Sequence, residues 1–345
     1  MKALVKQREG RDGLGIIEVE VPVIGADDVL VEIKSAAICG TDLHIMDDAY
    51  QVDMPVTIGH EFSGIISKLG AGVQNWNIGD RVIAAGNIEN CGSCFLCANG
   101  NSNLCRDNKY LGIRVDGVFA KYARIPARLL HGIPAGISFE EAALAEPAAV
   151  AIDAMLVKNS VQVGDFIVVL GCGPIGLLAG QIAKAVGAGG VMITGRESAV
   201  KSRFRVAEEL GVFDYIVNVE KEDPVAIVME ATNGRGADII IDTTGNSAAL
   251  AQAFEMVRRA GAIEVIGIGD QVVAVPWSRM FKEAVKIQFC RGTTNRSFDM
   301  FCSLAATGKL NLKPMITNTF PLEDWKKGFD SAEHRDSVKT LLIPG

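Results

Sequence analysis

The sequence lacks an excess of basic residues. Its 34 Lys and Arg stand against 41 Asp and Glu, which gives a formal net charge of −7. Nucleic acids and anionic membranes attract proteins through basic surfaces, so this balance argues against either as the main partner. Internal repeats and low-complexity tracts are also missing. The length of 345 residues and the 49% apolar composition instead indicate a globular protein with two domains and a large core.

Features of secretion and membrane insertion are also scarce. The N-terminal segment has neither the apolar core nor the small-residue cleavage site of a signal peptide. We therefore expect a cytoplasmic protein, in which the eight cysteines more often bind metal than form disulfides. Residues 166–183 carry no charge, but four glycines and Pro174 interrupt them, so we expect a buried strand, a turn and a helix there.

Strand-like and helix-like segments are distributed unevenly along the chain. To about residue 150, short β-branched segments such as Val29–Ile33 and Arg81–Ala84 predict a strand-rich region. From Val161 onward strands alternate with helices, which predicts an α/β fold with a doubly wound parallel sheet. The predicted elements are strands Phe166–Leu170, Val191–Thr194, Asp214–Val217, Asp238–Asp242 and Ile263–Ile268, helices Pro174–Val186 and 197–210, and a last helix end and strand within Met280–Arg291.

Four cysteines are clustered in the segment CGSCFLCANGNSNLC. Two residues separate each of Cys91, Cys94 and Cys97, and seven separate Cys97 from Cys105. Four thiolates at this spacing can surround a Zn²⁺ ion and leave no open position, which is typical of a structural site. An iron–sulfur cluster is the alternative, but its ferredoxin pattern has the fourth cysteine after three residues and before Pro. A nucleic-acid-binding zinc ribbon would need Lys or Arg here, and residues 91–105 have none.

A second group of candidate metal ligands comprises Cys39, His60 and Glu61. Three protein ligands with one open position form a catalytic zinc site, where the metal acts as a Lewis acid on a carbonyl or alkoxide oxygen. Spacing alone leaves two other interpretations open, a buried core cysteine and a surface His-Glu pair.

The chain resembles a known family at these residues. The segment Gly59–Glu61, with the glycines and valine that follow it, resembles the signature of the zinc alcohol dehydrogenases, and the hexapeptide Cys39–His44 resembles their catalytic-cysteine segment. The four-cysteine segment and Gly79–Val82 match in order and spacing. The sequence is therefore similar, over essentially its whole length, to the zinc-dependent medium-chain alcohol dehydrogenase family.

This resemblance implies a domain organisation. It implies a mostly-β, GroES-like catalytic domain with a zinc lobe at residues 1–150, a Rossmann domain at 151–290, and a return to the catalytic domain at 291–345. It also implies a homodimer or a homotetramer. The stretch LAEPAAVAIDA, which contains Glu146 and Pro147, resembles the polyol (sorbitol-type) branch.

The resemblance also implies roles for individual residues. Cys39 and His60 would bind the catalytic zinc, and either Glu61 or Glu146 would complete its shell; this choice stays open. Thr41 corresponds to the hydroxyl that relays the alcohol proton. His44 corresponds to a relay residue near the nicotinamide ribose.

A glycine-rich segment predicts the cofactor site. Gly171, Gly173 and Gly176 fit the pattern G-x-G-x-x-G between a predicted strand and a predicted helix. In this pattern the glycines make the turn, admit the pyrophosphate and allow helix–strand packing, and the helix N-terminus binds the phosphates. Pro174 and Ile175 complete the segment, and by resemblance Gly267 and Arg291 also line the cofactor.

The end of the next predicted strand bears on cofactor choice. An NAD enzyme places Asp or Glu about twenty residues after the glycines, but this chain has Gly195 followed by Arg196. We expect Gly195 to leave room for a 2′-phosphate and Arg196 to bind it, so that NADP(H) is preferred over NAD(H). The alternative is that Arg196 and the basic residues after it form only a solvated helix face.

The predicted function is hydride transfer between a polyol or secondary alcohol, or its ketone, and NADP(H) or NAD(H), with one catalytic and one structural zinc. Arg291 matches a substrate-hydroxyl contact of sorbitol-type enzymes, but the Tyr expected next is Gly292, which puts sorbitol itself in doubt. The alternatives are a dehydrogenase for threonine or a sugar-alcohol phosphate and, more remotely, a non-enzymatic zinc- and nucleotide-binding protein. We expect Cys172, Cys290 and Cys302 to be buried, and His131 and His334 to have packing or surface positions.

Overall fold

A computed structural model of the chain describes residues 1–269, 271–334 and 337–345. The chain divides into two compact units. Residues 1–149, 292–306 and 315–345 form the first unit, and residues 150–291 with 307–314 form the second. In the described ranges, no helix is both long enough and apolar enough to span a membrane.

The strands and helices are as follows. The strands are β1 (Lys2–Lys6), β2 (Leu14–Glu18), β3 (Asp28–Ala37), β4 (Val56–Thr57), β5 (Glu61–Leu69), β6 (Arg81–Ala84), β7 (Asn87–Glu89), β8 (Lys109–Tyr110), β9 (Tyr122–Pro126), β10 (Leu130–Gly132), β11 (Phe166–Leu170), β12 (Gly190–Gly195), β13 (Tyr215–Asn218), β14 (Ala237–Asp242), β15 (Val257–Val265), β16 (Lys286–Phe289), β17 (Ile316–Pro321) and β18 (Lys339–Ile343). The α-helices are α1 (Gly40–Met46), α2 (Phe95–Ala98), α3 (Phe139–Ala142), α4 (Ala145–Ile152), α5 (Pro174–Ala185), α6 (Arg205–Leu210), α7 (Pro224–Ala231), α8 (Ser247–Met256), α9 (Trp277–Lys282), α10 (Asn295–Ala306) and α11 (Trp325–Glu333).

The first unit is built around a seven-stranded sheet in the order β10-β6-β5-β3-β18-β17, with β9 also paired to β3. The central strand β3 is largely buried, which suits its apolar sequence DVLVEIKSAA. Its last residue, Ala37, pairs with Glu61 of β5 on one side and Leu341 of β18 on the other. This register brings the segments that follow β3, precede β5 and begin β18 together at one end of the sheet.

The second unit contains a six-stranded sheet in the order β13-β12-β11-β14-β15-β16, and all of its pairs are parallel. Numbered by appearance, this is the 3-2-1-4-5-6 order of dinucleotide-binding folds. Strand β11, FIVVL, is buried along its whole length, as expected for a parallel strand covered on both faces. The predicted Rossmann fold is therefore confirmed.

Two expectations about this region are wrong in detail. Residues 307–314 group with the second unit, because the backbone N–H of Asn311 donates to the Gln181 side chain at 2.7 Å and Lys309 Nζ donates to the Ala185 carbonyl at 3.2 Å. The predicted strand Ile263–Ile268 ends at Val265, because the next two backbone N–H groups turn to donate to the Asp242 carbonyl.

Candidate functional site

Cys39, His60 and Glu61 come together as a group of possible metal ligands. One ligand atom from each lies within 4.8 Å of the others. Cys39 has an extended backbone just before α1, and His60 precedes β5, whose first residue is Glu61. His60 and Glu61 are buried, whereas Cys39 is half-buried. The pairing of Ala37 with Glu61 explains why segments more than twenty residues apart in sequence meet here.

A buried carboxylate supports the imidazole of this group. Asp42, in the first turn of α1, accepts the backbone N–H of Cys39 at 2.8 Å, and its other oxygen lies 3.7 Å from His60 Nδ1. Burial raises the pKa of Asp42. Burial lowers the pKa of His60, but the negative charges of Asp42 and Cys39 outweigh this and leave that pKa well above its ordinary value. Metal-binding histidines commonly have such a carboxylate beside the second ring nitrogen, so the arrangement fits a metal centre.

Glu61 is held by a buried lysine that the sequence did not indicate. Lys339, the first residue of β18, donates to Glu61 Oε1 at 2.7 Å and to the Ile38 carbonyl at 3.0 Å. Burial lowers the pKa of Lys339, but Glu61 and Cys39 raise it above its ordinary value, so the ammonium is charged. Lys339 and Glu61 are 278 residues apart in sequence, and only the sheet register brings them together.

Glu146, the other predicted carboxylate ligand, is not part of the group formed by Cys39, His60 and Glu61. It lies buried in the first turn of α4, where its Oε1 accepts a hydrogen bond of 2.9 Å from the Tyr110 hydroxyl. The Tyr110 ring stands edge-on to His60 with 5.9 Å between ring centroids, so Glu146 is connected to the ligand group through Tyr110. Burial raises the pKa of both Glu146 and Tyr110.

The two predicted relay residues lie on α1. Thr41 is half-buried and His44 is exposed. A second unpredicted lysine holds the far end of this helix: the buried Lys6 Nζ donates to the Met46 carbonyl at 3.1 Å and pairs with Asp48 at 2.6 Å. Helix α1 is thus anchored at its start by Asp42 and at its end by Lys6.

The four-cysteine segment also folds into a compact set of ligands. The sulfurs of Cys91, Cys94, Cys97 and Cys105 lie within 4.8 Å of one another, with pair distances of 3.6 to 3.9 Å for three pairs. Tetrahedral Zn²⁺ with Zn–S bonds of about 2.3 Å places its sulfurs roughly 3.8 Å apart. A disulfide would need about 2.05 Å. Backbone N–H groups of Ser93 and Cys94 lower the pKa of Cys91 to about 6, which favours the thiolate that binds metal.

The predicted phosphate-binding turn joins β11 to α5. Gly171 has a φ of +101°, and a side chain there would clash with Thr243 and Thr244. A Cβ on Gly176 would lie 2.0 Å from the Gly171 carbonyl oxygen, so close packing requires this glycine. Gly173 is the N-cap of α5 and has no atom within 4 Å of a Cβ position. With Pro174 as the first helical residue, the turn leaves the helix N-terminus accessible to a pyrophosphate.

The expectation that Gly195 leaves room for a 2′-phosphate is wrong. A Cβ at this position would lie 2.5 Å from the Phe204 ring and 2.6 Å from Cys172 Sγ. Packing therefore requires glycine at position 195. The space that we expected to accommodate a phosphate is filled by Phe204 and Cys172. Arg196 is exposed, and its Nε donates to Glu220 at 2.9 Å.

The other predicted cofactor residues lie on the loops after β15 and β16. Gly267 packs against Gly245, with its Cβ position 2.0 Å from the Gly245 nitrogen. Arg291 is exposed, and its carbonyl accepts Lys158 Nζ at 3.3 Å. Gly292 has a φ of +73°, so the tyrosine expected there in sorbitol-type enzymes would be strained.

The remaining cysteines and histidines lie outside both ligand groups. Cys172 is buried as expected, but Cys290 and Cys302 are only half-buried. His131 stacks on Phe298, and His334 is exposed.

Comparisons with known proteins agree with this architecture. Residues 25–135 match the family model "Alcohol dehydrogenase GroES-like domain", and residues 174–307 match "Zinc-binding dehydrogenase". The chain is 35% identical to a sorbitol dehydrogenase of Halalkalibacterium halodurans, over 100% of this chain and 99% of the relative. It is 34% identical to an L-threonine 3-dehydrogenase of Bacillus subtilis, with the same coverage.

A solved structure of a zinc-binding dehydrogenase also matches the fold of this chain. A putative zinc-binding dehydrogenase from Sinorhizobium meliloti, bound to NADP, superposes with a TM-score of 0.90 at 27% identity and covers 99% of both chains. The predicted resemblance is confirmed by these matches, which extend over both units. The chain therefore belongs to the medium-chain family of zinc-dependent, nicotinamide-dependent alcohol dehydrogenases, in the branch that includes the sorbitol dehydrogenase.

Proposed function

We propose that this dehydrogenase interconverts a polyol or another secondary alcohol with its ketone, and that it prefers NADP(H) to NAD(H). The observation that carries the proposal is the meeting of Cys39, His60 and Glu61 at the end of the first unit's sheet, with the Glu146–Tyr110 pair beside them. A sorbitol dehydrogenase among the relatives supports a polyol substrate. The relative that acts on L-threonine makes an amino alcohol the second candidate.

Each residue of the site has a chemical task in this proposal. Cys39 and His60 hold the catalytic zinc, and Glu61 or Glu146 completes its shell. When bound there, zinc lowers the pKa of the substrate hydroxyl. Thr41 relays the released proton: its hydroxyl accepts that proton and gives up its own, which the exposed His44 on the same helix passes to solvent. Cys91, Cys94, Cys97 and Cys105 hold a second zinc, which stabilises their lobe.

We also propose a homo-oligomer. Strand β16 lies at the edge of its sheet and, within the described ranges, pairs with β15 alone. Large apolar side chains near it are exposed: Trp277 by 79%, Phe281 by 80% and Phe289 by 74%. An open strand edge beside apolar surface is typical of a surface that pairs with another chain, here a second copy.

Two measurements test the proposed function. Purified protein is assayed with polyols, L-threonine and sugar-alcohol phosphates, each with NADP⁺ and with NAD⁺, and its zinc content is measured. We expect the highest kcat/KM for a polyol with NADP⁺, and about two zinc ions per chain. Highest activity on L-threonine would replace the polyol proposal, and a clear NAD⁺ preference would refute the cofactor proposal.

A separate measurement tests the homo-oligomer. A monomer by light scattering at micromolar concentration would refute it.

A further inference from the structure

A carboxylate lies beside the arginine on which the NADP(H) proposal depends. Strands β12 and β13 are parallel neighbours, with Gly195 opposite Asn218. The backbone N–H of Val219 donates to the Gly195 carbonyl at 3.0 Å and extends this pairing past the end of β13. The residues that follow the two strands are therefore adjacent. Glu220, two residues after β13, contacts Arg196, the residue after β12.

Both oxygens of Glu220 are fixed. Oε1 accepts Arg196 Nε, and Oε2 accepts the backbone N–H of Glu197, each at 2.9 Å. The Glu197 N–H and then the Arg196 guanidinium lower the pKa of Glu220, so the carboxylate is charged at neutral pH. A phosphate that binds Arg196 must therefore share the guanidinium with a negative charge already in place.

The structure explains why no acid can stand at the end of β12. NAD enzymes carry the ribose-binding acid at the end of the second strand, which here is β12. Cys172 and Phe204 occupy the space around the Cβ position of Gly195, so no larger residue fits at that strand end. Glu220 approaches this place from the turn that follows the neighbouring strand β13.

Two ion pairs lie at this corner. Arg196 pairs with Glu220, and Lys221 pairs with Glu197 at 2.7 Å, which makes two positive and two negative charges. A 2′-phosphate brings about −1.5 to −2 charges. It is attracted by Arg196 but repelled by Glu220, whereas a ribose 2′-hydroxyl can donate a hydrogen bond to the Glu220 carboxylate.

We propose that Glu220 is a specificity-determining residue that limits the preference for NADP(H) and keeps NAD(H) usable. This inference rests on the proposed function, since it requires Arg196 to face the 2′ position of the bound cofactor. Glu220 acts in two ways: it neutralises part of the Arg196 charge, and it accepts the free 2′-hydroxyl of NAD(H).

The test measures binding of two cofactor fragments to the full-length protein. Calorimetric titrations with 2′,5′-ADP and with 5′-AMP isolate the effect of the 2′-phosphate from catalysis. We expect Glu220→Gln to tighten 2′,5′-ADP binding by about tenfold at low salt and less at high salt, because exposed charges are screened. Binding of 5′-AMP should stay the same or weaken by roughly twofold, because the glutamine amide oxygen still accepts the 2′-hydroxyl but without the negative charge of the carboxylate.

Two further variants serve as controls. Glu220→Asp keeps the charge and should bind both fragments within about twofold of the original protein. Glu230→Gln removes an equal charge from the C-terminal end of α7. This helix leads to the amino end of β14, whereas the phosphate turn follows the carboxyl end of β11, at the opposite end of the strands. It should change neither affinity.

The outcomes separate this inference from the proposed function. Unchanged or weaker 2′,5′-ADP binding by Glu220→Gln would overturn the role of Glu220; weaker binding would show that Glu220 serves only to anchor Arg196. The NADP(H) proposal is tested by Arg196→Ala, which should lose most of the advantage of 2′,5′-ADP over 5′-AMP. If Arg196→Ala binds 2′,5′-ADP as well as the original protein does, the cofactor proposal itself fails.

Discussion

The two candidate metal centres of the first unit are assembled in opposite ways. The four cysteines of the lobe lie within one short segment, residues 91–105, and include an exposed residue, Cys91. The group of Cys39, His60 and Glu61 combines two distant segments, and its surroundings add Lys339 and Tyr110 from two more. The lobe is thus a local structure, and we expect a bound metal ion to stabilise its shape. The other centre is held by the sheet and by buried hydrogen bonds, with or without metal.

This difference predicts different consequences of removing a ligand. A metal ion bound by the four cysteines would stabilise the lobe itself. At the end of the sheet, by contrast, the stable fold holds the reactive groups of the Cys39, His60 and Glu61 site in position. Substitutions in the lobe should therefore affect folding, and substitutions at the sheet end should affect chemistry.

The largest expected effect is that of Cys39→Ser on turnover. Loss of a ligand that holds the Lewis acid should lower kcat by roughly a thousandfold, equivalent to about 4 kcal/mol of transition-state stabilisation. Nucleotide binding should be nearly intact, because the phosphate-binding turn belongs to the other unit. Cys97→Ser should instead lower the melting temperature and expose the lobe to proteolysis. Steady-state kinetics and calorimetry separate the two effects.

A half-buried thiol outside both groups supplies the control. Cys302→Ser should retain near-normal turnover and melting temperature, since its only described polar contact is a long one of 3.6 Å to the Gly132 carbonyl. Near-normal turnover by Cys39→Ser would show that the catalytic assignment is wrong.

The second effect in size is that of Lys339→Met on stability. Removal of one partner of a buried ion pair leaves Glu61 buried without its partner, which should cost about 3–5 kcal/mol in the free energy of unfolding. The measurement is urea denaturation. The matched control is Lys327→Met, which breaks an exposed pair with Asp324 and should cost at most about 1 kcal/mol. Equal effects of the two substitutions would mean that the sheet end tolerates an unpaired Glu61.

A smaller effect is expected for Tyr110→Phe. The change removes the hydrogen bond to Glu146, which should cost about 1.5–3 kcal/mol of stability. It should also weaken zinc binding at the catalytic centre by roughly ten- to a hundredfold, as supporting groups around metal sites commonly do. Chelator competition measures the second effect. The control Tyr122→Phe changes a half-buried tyrosine of β9 and should leave zinc affinity unchanged; a similar loss in both variants would contradict the role of Tyr110.

The secondary-structure elements that the sequence predicted well are those with a local residue pattern. Strands Phe166–Leu170 and Arg81–Ala84 are predicted with their observed bounds, since each is a short apolar or β-branched run that begins directly after an aspartate. The stretch 197–210 is helical as predicted, but it contains a 3₁₀ turn, a π-helical turn and then α6. Sequence periodicity does not distinguish these helix types over such short stretches, because the spans of their hydrogen bonds differ by only one residue from one type to the next.

Gly195 shows where a local interpretation failed. The missing acid at this position suggested space for a phosphate, but the structure attributes the glycine to Phe204 and Cys172, which fill that space. The relevant carboxylate, Glu220, lies 24 residues away from Arg196, in the turn after the adjacent strand. No residue-by-residue comparison with the expected pattern could have identified it.

By itself, the sequence determined the candidate metal-binding segments, the glycines of the turn between β11 and α5 and the alternation that makes the Rossmann sheet, because each depends on residues close together in the chain. The tertiary structure alone decided which groups surround them: Lys339 on Glu61, Tyr110 on Glu146 and Glu220 on Arg196. Each contact lies within one unit and depends on strand register and on the packing of elements that are distant in the chain. The buried charges of Lys339 and Glu61 are placed in the interior only because the fold brings them together, since burial of either one without a partner costs too much free energy.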